Sequence, residues 1–350
     1  MFPYWVLFCF VIFWIGLITL QENDEIGRLE GLRLTTRWLF AAALGLFVGI
    51  YSRNGSLDYE NYVDFLSDTP PLGEWAVSSL KDPFFQSLGL VFVGSDRGIA
   101  FLTFVTTVLS ILIKMKIFDS RYYSSIFGLA MIFLIGRFFL VHEFTQIRAS
   151  LGIAFMSFSV ICTIEKKWRL ALLMAFVAAF THFSTLALLP VVLLSLNVPL
   201  KVKLGLLAFI AMVFSAIGIG FETEIYSRLE PYVAGDYLVT ENTLLSFYFL
   251  FKILVLGTLL FQWMSLNSGM RYALLISGYG LFLIVVFLQN NVLSIRFGEL
   301  TAVFDCICFA YFLKYSFRVN LIYTYSAGVV ISALLYFSST KIVNPVALTF

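Results

Sequence analysis

Long apolar runs alternate with short polar intervals along the chain. The runs fall at about 2–20, 36–51, 98–118, 122–141, 146–164, 170–196, 204–221, 244–263, 272–288, 297–314 and 320–337. Within each run the apolar residues are continuous, which predicts helices and excludes the alternating pattern of a membrane β-barrel. A helix of about 20 apolar residues matches the hydrocarbon thickness of a bilayer. The expected fold is therefore an all-α polytopic integral membrane protein with about 11–12 transmembrane helices. No repeat and no Pro- or Ser-rich linker divides the chain, so 1–350 reads as one domain. The first run, Phe2 to Leu20, lacks a basic n-region and a small-residue cleavage site, and is expected to be a retained helix.

Basic residues give the sidedness. Arg28/Arg33/Arg37, Lys114/Lys116/Arg121, Lys166/Lys167/Arg169, Lys201/Lys203 and Lys314/Arg318 flank the runs. The positive-inside rule puts such clusters on the cytoplasmic side. Their parity holds if 170–196 crosses twice. As one helix this run is about 40 Å long, against a hydrocarbon core of about 30 Å. Two short helices meeting near His182 resolve both problems; the competing reading is one long tilted helix. The loops 52–97, 142–146, 222–243 and 289–296 then lie outside, together with the His182 turn. The first is too long for a mere connection. Within it, Asp82-Pro83 has the form of a helix start, a capping acid followed by Pro at the first helical position. The apolar stretch 84–93 after it suits a helix lying in the interface. An outward-facing cavity beneath a partly helical outer loop is expected.

Composition narrows the class further. Hydrophobic residues make up 60% of the chain and charged residues 13%, against about 25% charged in soluble domains. That excludes a water-soluble enzyme, a nucleic-acid binder and a disordered protein. A net charge of +2 says little about partners. Cys9, Cys162, Cys306 and Cys308 all fall in apolar runs without metal-site spacing and read as buried fillers. There is no P-loop, no glycine-rich dinucleotide motif and no pair of histidines at i and i+4, so no metal or cofactor is expected.

Charge at membrane depth is costly, about 2.5–3.5 kcal/mol for an arginine near a helix centre. The polar residues that persist in this chain gather at the expected outer ends of the helices. Arg53, Asp58, Tyr59, Glu60 and Tyr62 follow the second run; carboxylates accept sugar hydroxyls and aromatic faces stack on sugar rings, although a polar loop start with interfacial tyrosines has the same look. His142, Glu143, Gln146 and Arg148 surround a short turn, where snorkelling and capping are the plainer account. His182, at the expected bend, is either a structural histidine or the best base in the chain, since imidazole titrates near neutral pH. Arg296 and Glu299 can pair locally. Asp305, deeper in the same run, has no basic neighbour within a turn, and Lys252 is a distant candidate partner. Arginines stay charged and bind phosphate oxygens bidentately, so two or three at one cavity suit a diphosphate without a metal.

Taken in order, several of these elements resemble the Wzy-type polysaccharide polymerases, specifically the EpsG-like branch. They are Gly49-Ile50-Tyr51-Ser52-Arg53 leading to Asp58-Tyr59-Glu60-Asn61-Tyr62, then Asp82-Pro83-Phe84-Phe85, then Gln146-Ile147-Arg148 opening a helix. Thr181-His182-Phe183-Ser184 and Ser294-Ile295-Arg296 follow. Thr181 stands where that branch usually has Phe, and Gly152 where it commonly has Leu. The resemblance implies a membrane glycosyltransferase of the bacterial inner membrane, acting on its outer face. It joins undecaprenyl-diphosphate-linked repeat units into a long surface polysaccharide such as O-antigen, capsule or exopolysaccharide. His182 and Asp58 are the expected catalytic residues; Arg148, Arg296, Arg53, Tyr59, Tyr62, Gln146 and His142 are expected to bind substrate. The implied partners are the lipid-linked glycans, membrane lipid and a chain-length regulator protein, with no nucleic acid.

Two other classes share this sequence profile. A lipid-linked oligosaccharide flippase or other transporter has similar crossings, but should carry polar residues along both halves of its path. An O-antigen ligase performs the same chemistry on another acceptor and tends to carry its large outer loop late in the chain. An acyltransferase fits less well, because no His–Asp dyad is visible.

Overall fold

The computed structural model describes residues 2–23, 30–56, 58–67, 82–92, 96–195, 246–286, 291–316 and 320–340. The expected run 204–221, the loop 222–243 and the middle of the loop 52–97 lie outside the described residues. No strand occurs among those described. Among the described residues six helices are long and apolar enough to cross a membrane: Leu34–Gly55, Gly98–Phe118, Ser124–Thr145, Ile147–Ile164, Ser268–Val286 and Ile322–Ser339. Four shorter apolar helices, Pro3–Leu17, Trp168–Thr181, Phe183–Val192 and Phe247–Phe261, join them. The chain is a multi-pass, all-helical membrane protein.

We number the helices α1 (Phe2–Asn23), α2 (Glu30–Gly55), α3 (Tyr59–Ser67), α4 (Pro83–Phe92), α5 (Asp96–Phe118), α6 (Ser124–Thr145), α7 (Ile147–Ile164), α8 (Trp168–Thr181), α9 (Leu189–Ser195), α10 (Phe247–Phe261), α11 (Ser268–Val286), α12 (Asn291–Glu299), α13 (Ala302–Tyr311) and α14 (Leu321–Ser339). The centre of the bundle is α6, α7 and α13. Their side chains are almost wholly buried, and Phe133, Phe138, Phe139, Phe144, Phe304 and Phe309 fill the interior. One close approach depends on a glycine: a Cβ on Gly136 of α6 would lie 1.8 Å from Ser332 Oγ of α14. There Ser332 donates to the Ile132 carbonyl at 2.6 Å.

Apolar burial gives little drive between helices in lipid, so buried polar groups act as specific ties. Lys114 of α5 pairs with Glu143 of α6 and donates to Ser150 of α7 at 2.9 Å. Lys252 of α10, the distant candidate partner, pairs with Asp305 of α13 at 2.9 Å. Asp305 also accepts from Tyr248 and Ser277. Both pairs are fully buried.

Four details differ from the sequence reading. The expected loop 289–296 is helical from Asn291, as the start of α12. Cys9 is exposed on α1 while the other three cysteines are buried. The run 297–314 is broken at Leu300-Thr301, between α12 and α13. The second half of α6, Leu134–Thr145, is wound with i→i+5 hydrogen bonds, a wider turn that is frequent at functional sites. The break expected in 170–196 does occur: α8 stops at Thr181, His182 is extended (φ −156°, ψ 112°), and a 3₁₀ turn over Phe183–Leu188 leads into α9.

Candidate active site

The site is assembled where α2, α7 and α8 end or begin. A Cβ on Gly55 would meet Tyr4 Oη at 2.5 Å and Phe144 at 2.7 Å, so the chain leaves α2 against these rings. Helix α3 follows. Its Tyr59, Tyr62 and Leu66, at spacings of three and four, form one apolar face. They pack with Phe85 of α4, Ile99 and Leu102 of α5 and Ile147 of α7. The Tyr62 hydroxyl donates to the Thr145 carbonyl at 3.1 Å, tying α3 to the end of α6. Burial pushes that phenol far above its ordinary pKa, so it is a neutral donor. Asp58 stands at the start of α3, within 3.4 Å of the Asn61 amide.

Arg148 lies in the first turn of α7. Its guanidinium sits 4.3 Å from the Phe65 ring centre and 5.3 Å from that of Tyr62, distances at which cation–π attraction holds it in place. Its Nη1 donates to Asp82 Oδ2 at 2.9 Å. The other Asp82 oxygen, Oδ1, accepts the Phe183 amide at 3.0 Å. His182 Nδ1 lies 3.5 Å from Oδ2, an ion-pair distance without hydrogen-bond geometry. His182 packs against Gly152 of α7, whose absent Cβ would lie 3.1 Å from His182 Cβ. The departure Gly152 therefore has a physical role: it lets the broken helix approach α7.

Asp82 is 8% exposed and its backbone is left-handed, φ 60°, which costs a non-glycine residue on the order of 1 kcal/mol. Burial alone would raise its pKa. The His182 imidazole, the Arg148 guanidinium and the Phe183 amide outweigh that and hold the carboxyl below its ordinary range. α4 does start at Pro83, but the Asp82 side chain is not spent on capping it: that carboxylate reaches across to α7 and the His182 turn.

Asp58, Tyr62, Gln146, Arg148, His182 and Arg296 line one cavity of about 170 Å³, with Asn61 and Ala149. Two guanidiniums, a carboxylate, an imidazole and two amides thus meet in one place, and four segments far apart in sequence contribute them. Three expected binding residues are elsewhere. Tyr59 is in the apolar cluster, because it shares the buried face of α3 with Tyr62. Arg53 is exposed in the last turn of α2, where a cation suits the helix dipole. His142 is wholly buried, its Nε2 3.7 Å from Glu299 Oε2. The wide winding of α6 brings residues five apart to one side, so Arg137 also meets Glu299, at 3.0 Å. Glu299 is thus held across the bundle by α6. Asp82 is the site residue that sequence reasoning missed as chemistry. Its Asp-Pro signature pointed to the place but not to the partner, and the His–Asp pair absent from sequence inspection is formed here.

A protein-family model described as the EpsG family matches residues 36–348. The chain belongs to the EpsG family. The match includes every segment that lines the cavity. Membership makes this a polysaccharide-polymerase-like membrane protein. No curated protein and no solved structure matches the chain.

Proposed function

We propose that this EpsG-family protein is a metal-independent glycosyltransferase of the bacterial inner membrane. It joins undecaprenyl-diphosphate-linked repeat units into a long surface polysaccharide, with the cavity facing outward. The observation that carries the reading is the meeting of Arg148, Arg296 and His182 at one small cavity. Ordinary ligand pockets measure about 300–1,000 Å³. A cavity of about 170 Å³ suits the reacting groups, with the glycans and lipid tails lying outside it.

In this reading Arg148 and Arg296 hold the donor diphosphate. An acceptor hydroxyl attacks the anomeric carbon of the growing glycan. The bond from that carbon to the diphosphate oxygen breaks, and the electron pair leaves with undecaprenyl diphosphate. The hydroxyl proton passes to His182, through the ring nitrogen not turned to Asp82. The arginines stabilise charge as it develops on the departing oxygen. Asp58 and Gln146 orient sugar hydroxyls, and Asp58 is the substitute base should His182 be dispensable.

The test is His182→Ala, together with Arg296→Ala, in a strain deleted for the native gene. Normal membrane insertion with single-repeat glycan in place of polymer supports the reading. Long polymer from His182→Ala removes the histidine from the chemistry, and no surface glycan at all from the deletion strain points to a flippase or a ligase.

A further inference from the structure

Asp82 sits between the two halves of the proposed chemistry without lining the cavity. Its carboxylate has two separate jobs. Oδ1 is fixed by the Phe183 amide, the first residue after His182. Oδ2 is shared: Arg148 Nη1 holds it at 2.9 Å, while His182 Nδ1 stands off at 3.5 Å. That Nδ1 is buried and has no hydrogen-bond partner. A buried polar atom left unpaired beside a carboxylate calls for an explanation.

We propose that Asp82 is a positioning residue that couples capture of the donor diphosphate by Arg148 to alignment of His182. The proposal rests on the reading of Arg148 as diphosphate ligand and His182 as base. A diphosphate bound at Arg148 and Arg296 competes with Asp82 for the Arg148 guanidinium. As Arg148 turns toward the phosphate oxygens, Oδ2 is released from its stronger partner. Oδ1 stays anchored, so the carboxylate pivots only a short way to hydrogen-bond Nδ1. That contact fixes one tautomer, turns the other ring nitrogen to the acceptor and stabilises the imidazolium once the proton arrives. Without donor, Asp82 occupies Arg148 and His182 stays loosely held. The base is therefore completed only when the leaving group is in place. The left-handed backbone of Asp82 fits this account, because strain at a non-glycine position is kept where the side chain must be aimed.

The charged groups around His182 among the described residues are Asp82 from the start of α4, Arg148 from α7, and Asp58 and Arg296 across the cavity. Neutralising Asp82 takes away the nearest negative charge and leaves the others.

The experiment is Asp82→Asn in the full-length protein in vesicles, with kcat, donor KM and the kcat–pH profile measured on purified lipid-linked repeat units. The amide oxygen of Asn still accepts from Phe183. We expect kcat to fall about 10–100-fold, the range of a lost orienting partner. We expect donor KM to hold or fall, since Arg148 is no longer occupied by a carboxylate. The acid limb of the profile should move to lower pH, as the carboxylate that stabilises the imidazolium has been removed. An unchanged pH profile, or a donor KM that rises in step with the loss of kcat, overturns the coupling. Should Asp82→Asn fail to accumulate, Asp82→Ser answers with the same readouts. Absence of both variants from the membrane assigns Asp82 to folding and also overturns it. Failure of the underlying reading looks different: His182→Ala would then polymerise normally, whatever Asp82 does.

Discussion

Gly152 is the hinge on which His182 is placed, and enlarging it tests the site without touching any polar group. A Cβ at this position would stand 2.9 Å from Thr185 Cγ2 and 3.1 Å from His182 Cβ, where ordinary contact begins at 3.4 Å. Gly152→Ala therefore displaces the His182 turn by about 0.3–0.5 Å, and Gly152→Leu by more. Overpacking of this kind costs about 1–3 kcal/mol of stability. The functional cost is of similar size, because a misplacement of about 1 Å at a reacting group lowers rates about 10²-fold, or about 2.7 kcal/mol. The expected order of polymerisation rate is Gly, then Ala, then Leu, with Leu down about 10²-fold and membrane levels close to wild type. Thr185→Ser removes the Cγ2 contact but keeps the hydroxyl that donates to the His182 carbonyl at 2.8 Å. Combined with Gly152→Ala it should restore most of the lost rate. The assay is the initial rate of chain extension in vesicles, beside a gel of polymer length from cells. A Leu variant extending chains at the wild-type rate would refute the argument that His182 must be seated this closely on α7.

Further outcomes follow from the same geometry. Arg148→Ala and Arg296→Ala should each lower kcat about 10²–10³-fold, the loss seen when one oxyanion donor is removed; Lys should substitute poorly at either site because the bidentate fork is lost, and full polymer from both Ala variants would contradict this. Lys252→Met or Asp305→Leu alone leaves a buried charge unpaired, at a cost of about 3–5 kcal/mol; thermal unfolding in detergent should show the double variant more stable than either single one. Asp82 is held below the ordinary carboxylate range, so its stabilising contribution is present at neutral pH and lost only as pH falls through that depressed value. The melting difference between wild type and Asp82→Asn should accordingly survive acidification through about pH 4 and close below it; a gap that closes above pH 5 would argue against the ion cluster.

Much of the fold could be read from the chain because membrane spans are a one-dimensional property. Continuous apolar runs of bilayer length must be helices, and α2, α5, α6, α7, α11 and α14 lie where the runs do. The break at His182 was legible from charge parity and from excess length, and the Lys252–Asp305 pair from the cost of an isolated buried acid. Of the site, the polar residues at the outer ends of the runs were accessible: Gln146 and Arg148, where α7 begins, and Arg296, which lies in the last turn of α12 and not at the expected helix start, line the cavity with His182, Asp58 and Tyr62. The role of Asp82 was not accessible, since its partners are 66 and 101 residues away and its side chain turns from the helix that it precedes. The inward face of Tyr59 is marked by its spacing from Tyr62 and Leu66 once α3 is known to be a helix, whereas the burial of His142 depended on the wide winding of α6, which leaves no local signature.

Whether bond formation and loss of the diphosphate lipid occur together at this cavity is measured with purified protein in sealed vesicles containing lipid-linked repeat units alone. Released undecaprenyl diphosphate is counted against glycosidic linkages formed. One diphosphate lipid should be released per repeat added, and His182→Ala and Arg296→Ala should lower both counts together, Arg296→Ala by about 10²–10³-fold. Movement of the lipid-linked units across the bilayer with no linkage formed and no diphosphate lipid released would contradict it.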